Sequence, residues 1–387
     1  MDTASATLPR SRARGLSPAA AIFLCAVALT LLGLVVLSSA GQEASKEAAT
    51  DPLFYFKRQL LWCGVAIIPL AVMATVPLEW LRRYSWVIGI LAVLVLGAVL
   101  SSHIGSAHKG ARRWLEFHGL RLQPSDFGKL ALVICLASYL AANQRHITTF
   151  LRGFMLPMII VAVFAGLIIR EPDFGTAALC GLVGFLLLYL AGTRLGFLFP
   201  TILLSSALFS AMVYFDPVRF KRILSFLHMD DPAIQSDGAY QLYQGILGFG
   251  SGGLTGVGLG QGRQQLAFLP EAHTDFVLAV VGEELGLVAT AGVALIFLII
   301  FVVSLRALRR APNLYEFTLA CGALLMLTGQ ALINMGVVTG LLPTKGMSLP
   351  FLSYGGTNLM LMFALVGLLM NCFRRWERPV MPRASEL

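Results

Sequence analysis

An aspartate at the start of a long apolar run is the residue whose type and position best suit chemistry. Asp275 lies in the stretch FLPEAHTDF at residues 268–276, directly after a glycine-rich segment. Ionisable groups at or inside a bilayer are costly, so each one is a candidate for work on a substrate or an ion. A carboxylate at such a boundary can act as a general base and accept a proton from a hydroxyl group. Asp275 is therefore the predicted catalytic residue.

If the substrate is a sugar whose anomeric carbon already carries a diphosphate, one carboxylate is enough for glycosyl transfer. The diphosphate leaves without a protein acid but needs nearby positive charge. Glycosidases use paired carboxylates because their leaving group is a poor alkoxide. The predicted substrate-binding residues are the basic side chains of the outer segments and the neighbours of the aspartate: Arg219, Lys221, Arg222, Arg263, His273, Thr274 and Lys345. A divalent cation, Mg²⁺ or Mn²⁺, could share the task of neutralising the diphosphate.

Other acidic residues cluster near the same predicted boundary. Asp126 follows Pro124 in what resembles a helix start, and Glu171-Pro172-Asp173 forms a complete turn between two apolar runs. Carboxylates at helix starts most often cap the helix, and this alternative applies to Asp126 and Asp173. These residues are predicted to support the site.

Glu283 and Glu284 lie eight and nine residues beyond Asp275, inside the same apolar run. At 100° and about 1.5 Å per residue, Glu283 falls about 80° around the helix and about 12 Å below Asp275. A structural role in hydrogen bonding to a neighbouring helix is favoured over direct chemistry. Gln330 and Asn334, spaced i and i+4, are predicted to offer the partner surface.

The elements that must position these residues are transmembrane helices. The 387 residues are 57% hydrophobic and 13% charged, which is more apolar surface than a soluble core of this length could hide. Spanning about 30 Å of hydrocarbon takes about 20 apolar residues in a helix, and the runs lack the period-2 alternation of a barrel. We predict an all-α polytopic membrane protein with about ten spans. The predicted runs are 18–39, 60–76, 86–102, 127–142, 154–169, 176–190, 197–215, 276–305, 314–339 and 349–373.

The distribution of loop charges predicts that both termini are cytoplasmic. That orientation puts Arg82, Arg83 and Arg194 in short cytoplasmic loops, as the positive-inside rule expects. Residues 1–16 and 374–387 are then cytoplasmic tails of a single membrane domain, and residues 216–275 form a large extracytoplasmic loop between helices 7 and 8. The net charge of +9 fits either attraction to anionic lipid headgroups or a phosphate-bearing substrate at the outer face.

Within the large loop, the stretch GILGFGSGGLTGVGLGQG at residues 245–262 is half glycine. Its backbone N–H groups could cradle phosphate oxygens, or the glycines could allow close packing of a re-entrant segment against helices. No Walker A sequence occurs, so we expect no nucleotide cofactor. We also expect no nucleic-acid partner. The six cysteines lie in or at the ends of apolar runs, and no disulfide framework is expected.

Long motifs resemble those of the SEDS family (shape, elongation, division and sporulation). They are SGGLTGVGLGQGRQQLAFLPEAHTDFVLAVVGEELG, GLLPTKGMSLPFLSYGGTNL, REPDFGTA and LQPSDFGKL, and with the ten-span layout they cover nearly the whole chain. GVGLG, PEAHTDF, GEELG and LPTKG are more similar to FtsW, the division member, than to RodA, the elongation member. Lys129 and Ser353 lie within these motifs and complete the predicted supporting residues.

The resemblance implies a peptidoglycan glycosyltransferase that polymerises lipid II at the outer face of the bacterial inner membrane, at the division septum. It implies that Asp275 is catalytic and that a class B penicillin-binding transpeptidase and other division proteins are partners. Two alternatives remain open from the residues. A lipid II flippase would suit ten helices with membrane carboxylates, and a non-catalytic division scaffold would leave Asp275 and the outer basic groups unexplained.

Overall fold

The computed structural model describes residues 16–39, 51, 53–101, 105–108, 111–117, 120–228, 240–264, 269 and 272–377. Most of the two predicted cytoplasmic tails, residues 1–15 and 378–387, and parts of the predicted outer loop, residues 229–239, 265–268, 270 and 271, lie outside these ranges.

The described chain is a bundle of α-helices with one small sheet. The helices are α1 (Pro18–Ser39), α2 (Phe54–Thr75), α3 (Leu78–Arg83), α4 (Ser85–Val99), α5 (Pro124–Ala142), α6 (Leu156–Arg170), α7 (Phe174–Ala191), α8 (Leu195–Tyr214), α9 (Pro217–Leu227), α10 (Tyr240–Gly252), α11 (Val277–Leu308), α12 (Leu314–Val338) and α13 (Gly356–Glu377). A 3₁₀ turn at Gln144–His146 and a π-helical turn at Phe150–Met155 lead into α6.

The predicted polytopic membrane class is confirmed. Within the described ranges, nine helices are long and apolar enough to cross a membrane. The tenth apolar helix, α4, has 15 residues and is about 22 Å long, which is short of the full hydrocarbon thickness. Each of the ten predicted runs thus corresponds to a helix.

The ends of these helices alternate along the bundle, so that distant parts of the chain meet at one end. There α1, α4, α6, α8 and α12 finish, and α2, α5, α7, α11 and α13 begin. The opposite end is marked by contacts between α3 and the end of α13, where Arg375 pairs with Glu79. The predicted catalytic residue lies at the first of these ends, which we call the site end.

The packing is densest around α13 and α12 and sparse around α8. Most side chains of α13 are buried, including Leu365, Val366 and Leu369. α8 instead exposes most of its apolar side chains, such as Phe199 and Leu203, as expected for a helix that faces lipid. α12 therefore supplies a rigid support close to the site, whereas α8 forms an outer wall.

A three-stranded antiparallel sheet stands between α4 and α5, where the all-α prediction had only a loop. Its strands are β1 (Gly105–His108), β2 (Ala111–Phe117) and β3 (Leu120–Leu122), in the order β1-β2-β3. The sheet belongs to the site end, because Arg113 and Trp114 of β2 line the cavity described below.

The described part of the outer segment between α8 and α11 holds two helices. Asp216 caps α9 by accepting hydrogen bonds from the backbone N–H groups of Val218 and Arg219 at 3.0 and 3.2 Å. α10 includes the first glycines of the glycine-rich stretch and packs against α11. The described part of the predicted long interruption therefore contains a helix that packs against α11.

Candidate active site

Asp275 lies in the turn that precedes α11, two residues before the helix begins. Its side chain is half-buried, and its backbone carbonyl accepts a 2.8 Å hydrogen bond from the side-chain Nδ2 of Asn334 on α12. The carboxylate lies so close to Gly346 that a methyl group on that glycine would be 2.7 Å from Oδ2.

Asp275 opens onto a cavity of about 1340 Å³ at the site end. The walls come from the start of α2, strand β2, the starts of α7 and α10, the end of α8, α9, the end of α12 and the loop after it. Among the described residues that line this cavity, Asp275 is the only carboxylate. A cavity of this size with a single acidic group suits a large substrate acted on by one base.

Six of the seven predicted substrate-binding residues line the cavity: Arg219, Lys221, Arg222, His273, Thr274 and Lys345. The seventh, Arg263, does not. It lies on the glycine-rich loop, its side chain is exposed, and its backbone N–H donates to Glu283 at 2.8 Å. The structure therefore separates Arg263 from the residues with which it was grouped.

The basic residues of α9 face the cavity in two different ways. The guanidinium carbon of Arg219 lies 3.5 Å from the centre of the Phe174 ring, and its Nε pairs with Asp216 at 3.2 Å. This cation–π contact joins α9 to the start of α7. Lys221 and Arg222 are exposed on the same helix. α9 thus carries a positively charged face along one side of the cavity.

His273 forms part of an aromatic wall rather than a ligand cluster. Its ring lies 4.4 Å from that of Tyr55 and 6.1 Å from that of Tyr354, and Tyr55 and Tyr354 meet edge to face at 5.1 Å. The backbone N–H of Tyr354 donates to the carbonyl of His273 at 2.9 Å. These contacts fix the backbone two residues before Asp275.

Lys345 reaches the cavity from the loop after α12 and is held by Asp173. Lys345 Nζ lies 3.0 Å from Asp173 Oδ1, and Asp173 also caps α7 by accepting from the backbone N–H and hydroxyl of Thr176 at 3.2 and 2.8 Å. Burial alone would raise the pKa of Asp173, but Lys345, Arg113 and the Thr176 hydroxyl together hold it below its ordinary value. Asp173 therefore both caps a helix and orients a cation.

Gly175 makes this arrangement possible. A methyl group at Gly175 would overlap the Nζ of Lys345, so the lysine can occupy its place only beside a residue without a side chain. The stretch REPDFGTA thus supplies the acid, the space and the helix start that Lys345 needs.

Glu171 is the carboxylate whose surroundings differ most from the prediction. It is 0% exposed, and within the described part of the chain neither carboxylate oxygen has a hydrogen-bond partner. Burial, with a smaller effect of the Asp173 charge, raises the pKa of Glu171 to about 8. At neutral pH this side chain is therefore mostly a neutral acid, and its role differs from that of a charged supporting group.

Arg113 is a functional candidate that the sequence does not single out. Its Nε donates to the backbone carbonyl of Glu171 at 2.8 Å, and its Nη2 donates to that of Pro172 at 2.7 Å. It lines the cavity, as do Arg58 and Arg121. The sequence places all three among the basic residues of the outer segments, but it does not show that Arg58 on α2, Arg113 on β2 and Arg121 on β3 meet at one cavity.

Asp126 and Lys129 form a buried ion pair on α5 at 2.7 Å, with both side chains 5% exposed. Asp126 therefore pairs with a lysine one turn later, and the predicted capping role is not what its side chain does. Lys129 also donates to Gln330 Oε1 on α12 at 2.9 Å. The pair links α5 to α12 beneath the cavity.

Glu283 and Glu284 bind the glycine-rich loop instead of Gln330 and Asn334, so the predicted partner surface was wrong. Glu283 accepts from the backbone N–H groups of Arg263 and Gln264. Glu284 accepts from the N–H of Gly260 at 2.9 Å and from the Ser39 hydroxyl at 2.7 Å. The predicted structural role of the two glutamates agrees with these contacts.

The same contacts explain the glycines of the loop. A methyl group at Gly252 or Gly256 would overlap a backbone carbonyl oxygen of α11. The loop N–H groups of Gly260, Arg263 and Gln264 point to carboxylates, and the described residues 245–264 do not line the cavity. Of the two interpretations of this stretch, close packing fits and a phosphate cradle at the cavity does not.

Ser353 holds the loop that leads from Lys345 to α13. Its hydroxyl accepts from the backbone N–H of Leu349 at 2.7 Å, and its carbonyl accepts from Gln59 Nε2 at 3.2 Å. Ser353 is thus a structural residue at the edge of the site.

Comparison with known proteins gives one consistent result. A sequence model of the family described as "Cell cycle protein", which comprises FtsW, RodA and SpoVE, matches residues 19–377. The chain is 38% identical over 357 residues to a Geobacter metallireducens protein named "Probable peptidoglycan glycosyltransferase FtsW", covering 92% of this chain and 94% of that one. It is 35% identical over 358 residues to the stage V sporulation protein E of Bacillus subtilis, covering 92% and 97%.

Solved structures share the fold. One, described as "Structural coordination of polymerization and crosslinking by a peptidoglycan synthase complex", gives a TM-score of 0.75 at 24% identity and covers 92% of this chain and 98% of that chain. The rod shape determining protein RodA of Thermus thermophilus gives a TM-score of 0.67 at 23% identity, covering 92% and 97%. The family match over nearly the whole length is decisive: the chain belongs to the FtsW/RodA/SpoVE family of polytopic membrane proteins.

Proposed function

We propose that this chain is a peptidoglycan glycosyltransferase that polymerises lipid II at the outer face of the cytoplasmic membrane during cell division. The observation that carries the proposal is the single carboxylate, Asp275, among the described residues of a large cavity whose other charged lining side chains are basic. The relatives named peptidoglycan glycosyltransferases, which the chain matches almost end to end, support the enzyme class.

The reaction needs one base and one group of cations. A sugar hydroxyl of the acceptor attacks the anomeric carbon of the donor, and Asp275 accepts the hydroxyl proton as the new glycosidic bond forms. The bond between the anomeric carbon and the diphosphate breaks, and the lipid diphosphate leaves with the electron pair. Lys345 and the basic face of α9 stabilise the negative charge of this leaving group.

The geometry of the cations supports this division of roles. Lys345 is tethered to Asp173 and lies in the loop that also brings Gly346 against Asp275. The α9 residues Arg219, Lys221 and Arg222 line the same cavity, and Arg219 stacks on Phe174, next to the Gly175 against which Lys345 packs. Lys345 and the basic face of α9 are therefore placed to act on the same diphosphate.

A divalent cation, Mg²⁺ or Mn²⁺, is a further part of the proposal. Within the described residues, no three His, Cys, Asp or Glu side chains converge to hold a metal ion. A Mg²⁺ or Mn²⁺ ion at this site would be held by the phosphates of the substrate together with one or two protein carboxylates.

The proposed partners and location follow from the same function. A class B penicillin-binding transpeptidase would cross-link the strands that this chain makes, and other division proteins would bring the pair to the septum of the inner membrane. A neighbour of the same fold is described as part of a peptidoglycan synthase complex, which supports a stable partner.

The test compares wild-type protein with Asp275→Asn, each purified with its transpeptidase partner, and measures glycan products from lipid II on gels. We expect the variant to lose polymerisation by at least about 100-fold while its thermal unfolding and partner binding stay unchanged. Asp51→Asn, which removes an exposed pairing partner of Lys57 at 2.8 Å, is the matched control and should polymerise normally.

Polymerisation by Asp275→Asn at the wild-type rate would contradict the assignment of the base. A lipid II flippase would instead translocate labelled lipid II in vesicles without making polymer, and a scaffold would do neither. A parallel assay with and without a chelator tests the proposed cation.

A further inference from the structure

Two buried amide side chains of α12 lie directly behind the site. Gln330 and Asn334 are each 1% exposed and are one helical turn apart, so they project from the same face of the helix. Buried amides are expected to be hydrogen-bonded, and their partners show what they hold in place.

One side-chain nitrogen of Asn334 binds two separate segments of the site. Its Nδ2 donates to the backbone carbonyl of Asp275 at 2.8 Å and to that of Met347 at 2.6 Å. Met347 follows Gly346, where an added methyl group would lie 2.7 Å from the Asp275 Oδ2, and Lys345, whose Nζ pairs with Asp173. The two segments of chain that bring the base and the cation together are therefore joined at a single amide.

Gln330 binds the next residue of the loop that carries Lys345. Its Nε2 donates to the carbonyl of Ser348 at 2.9 Å and to Asn358 Oδ1 at 2.8 Å, and its Oε1 accepts from Lys129 at 2.9 Å. Consecutive carbonyls of the loop are thus held by consecutive turns of α12. The loop that carries Lys345 cannot shift relative to α12 without breaking these bonds.

We propose that Asn334 is a positioning residue that sets the distance between Asp275 and Lys345 for glycosyl transfer. The inference rests on the proposed function of the cavity. Asn334 does not itself line the cavity, so it acts through the backbone of Asp275 and of the Lys345 loop. A displacement of about 1 Å between reacting groups can cost about 100-fold in rate.

A purely structural amide of the same kind exists elsewhere in the chain and supplies the control. Asn371 on α13 is 7% exposed, and its Nδ2 donates to the backbone carbonyls of Met73 and Val76 at 2.9 and 2.7 Å. These bonds lie at the end of the bundle opposite the site. Asn371 therefore matches Asn334 in chemistry, burial and number of bonds but not in position.

The experiment compares Asn334→Asp and Asn371→Asp in the purified complex with the partner. Aspartate is nearly isosteric with asparagine, but its ionised form cannot donate and its protonated form donates a single O–H, so each variant loses at least one of the two hydrogen bonds. Initial rates of glycan formation are measured over a range of lipid II concentrations, and the fraction of folded protein is measured by thermal unfolding. We expect kcat per folded molecule to fall at least about 10-fold in Asn334→Asp, with KM within about threefold of wild type. Both should stay near wild type in Asn371→Asp.

Several outcomes would overturn the inference. A wild-type kcat in Asn334→Asp, an effect on KM alone, or an equal loss in Asn371→Asp would each show that Asn334 is only structural. If Asn334→Asp is not recovered folded, Asn334→Ala removes both bonds without placing a carboxyl group between carbonyls and must show at least the same loss of kcat. Absence of polymer from the wild-type complex would overturn the proposed function as well, which distinguishes the two failures.

Discussion

Replacing Glu171 by glutamine should remove a pH-dependent destabilisation of the turn between α6 and α7. The carboxyl group is fully buried and lacks hydrogen-bond partners among the described residues, and its pKa is raised to about 8 from an ordinary value of 4.5, first by burial and then by the Asp173 charge. Between these two pKa values the folded protein keeps a proton that the unfolded chain has lost. The stability of the wild-type protein must therefore fall as the pH rises through this window.

The size of the effect follows from the shift. Between the two pKa values the free energy of unfolding falls by about 1.4 kcal/mol for each pH unit, and this fall levels off above the pKa of the folded state. From pH 6 to pH 8 the wild-type protein should lose about 2 kcal/mol relative to Glu171→Gln, which stays neutral throughout. For a protein of this size that corresponds to a difference in Tm of about 4 °C or less.

The assay is thermal unfolding of both proteins in the same detergent at pH values from 5 to 9. Glu79→Gln is the matched control, because the hydrogen bond from Arg375 lowers the pKa of Glu79. A group whose pKa is lowered in the folded protein stabilises the fold at pH values above its ordinary pKa, and this stabilisation is lost only in acid. The curves of stability against pH for Glu79→Gln and wild type should therefore be parallel between pH 6 and pH 8. Parallel curves for wild type and Glu171→Gln would refute the argument, since they would mean that Glu171 does not titrate in this range.

Two further substitutions test the site. Gly346→Ala places a methyl group 2.7 Å from the Asp275 Oδ2, so the rate of polymerisation should fall about 10-fold or more while the fold is kept. In the control Gly250→Ala the methyl group meets nothing within 4 Å, so the rate should stay unchanged. Equal rates for the two variants would contradict the proposed contact with Asp275. Lys345→Ala removes the cation that pairs with Asp173, so kcat/KM for lipid II should fall about 10-fold. Lys345→Arg should recover part of this loss. Steady-state kinetics of Lys345→Ala identical to wild type would show that the lysine has no part in binding the diphosphate.

The features that could be predicted from the sequence have local physical causes. Apolar runs of sufficient length predicted the spanning helices, and the cap at Asp173 followed from a carboxylate three residues before Thr176. Asp275 was chosen as the candidate base because a charged residue at the start of a span is rare enough to need a reason, and the structure places it in the wall of the cavity. Each of these signals lies within one or two helical turns of the residue concerned.

The features that could not be predicted share an origin in contacts between distant segments. The Lys345–Asp173 pair joins residues 172 positions apart, and the bond from Asn334 to Asp275 spans 59. The partner of Glu283 and Glu284 was predicted on the wrong element, because periodicity gives the face of a helix but not what packs against it. The isolation of Glu171 in a turn could not be predicted either, since its surroundings include residues distant in the chain, such as Arg113, which donates to the Glu171 carbonyl.

The neutral state of Glu171 also bears on the charge of the cavity. Arg113 donates to the carbonyls of Glu171 and Pro172, which carry no net charge, so these bonds orient the guanidinium without cancelling it. An ionised Glu171 beside Arg113 would neutralise that positive charge and reduce the potential that attracts a diphosphate. One proton therefore both stabilises the turn and maintains the positive field of the cavity. It follows that the affinity for lipid II should weaken in wild type as the pH rises through about 8, and that Glu171→Gln should retain its affinity at about pH 9.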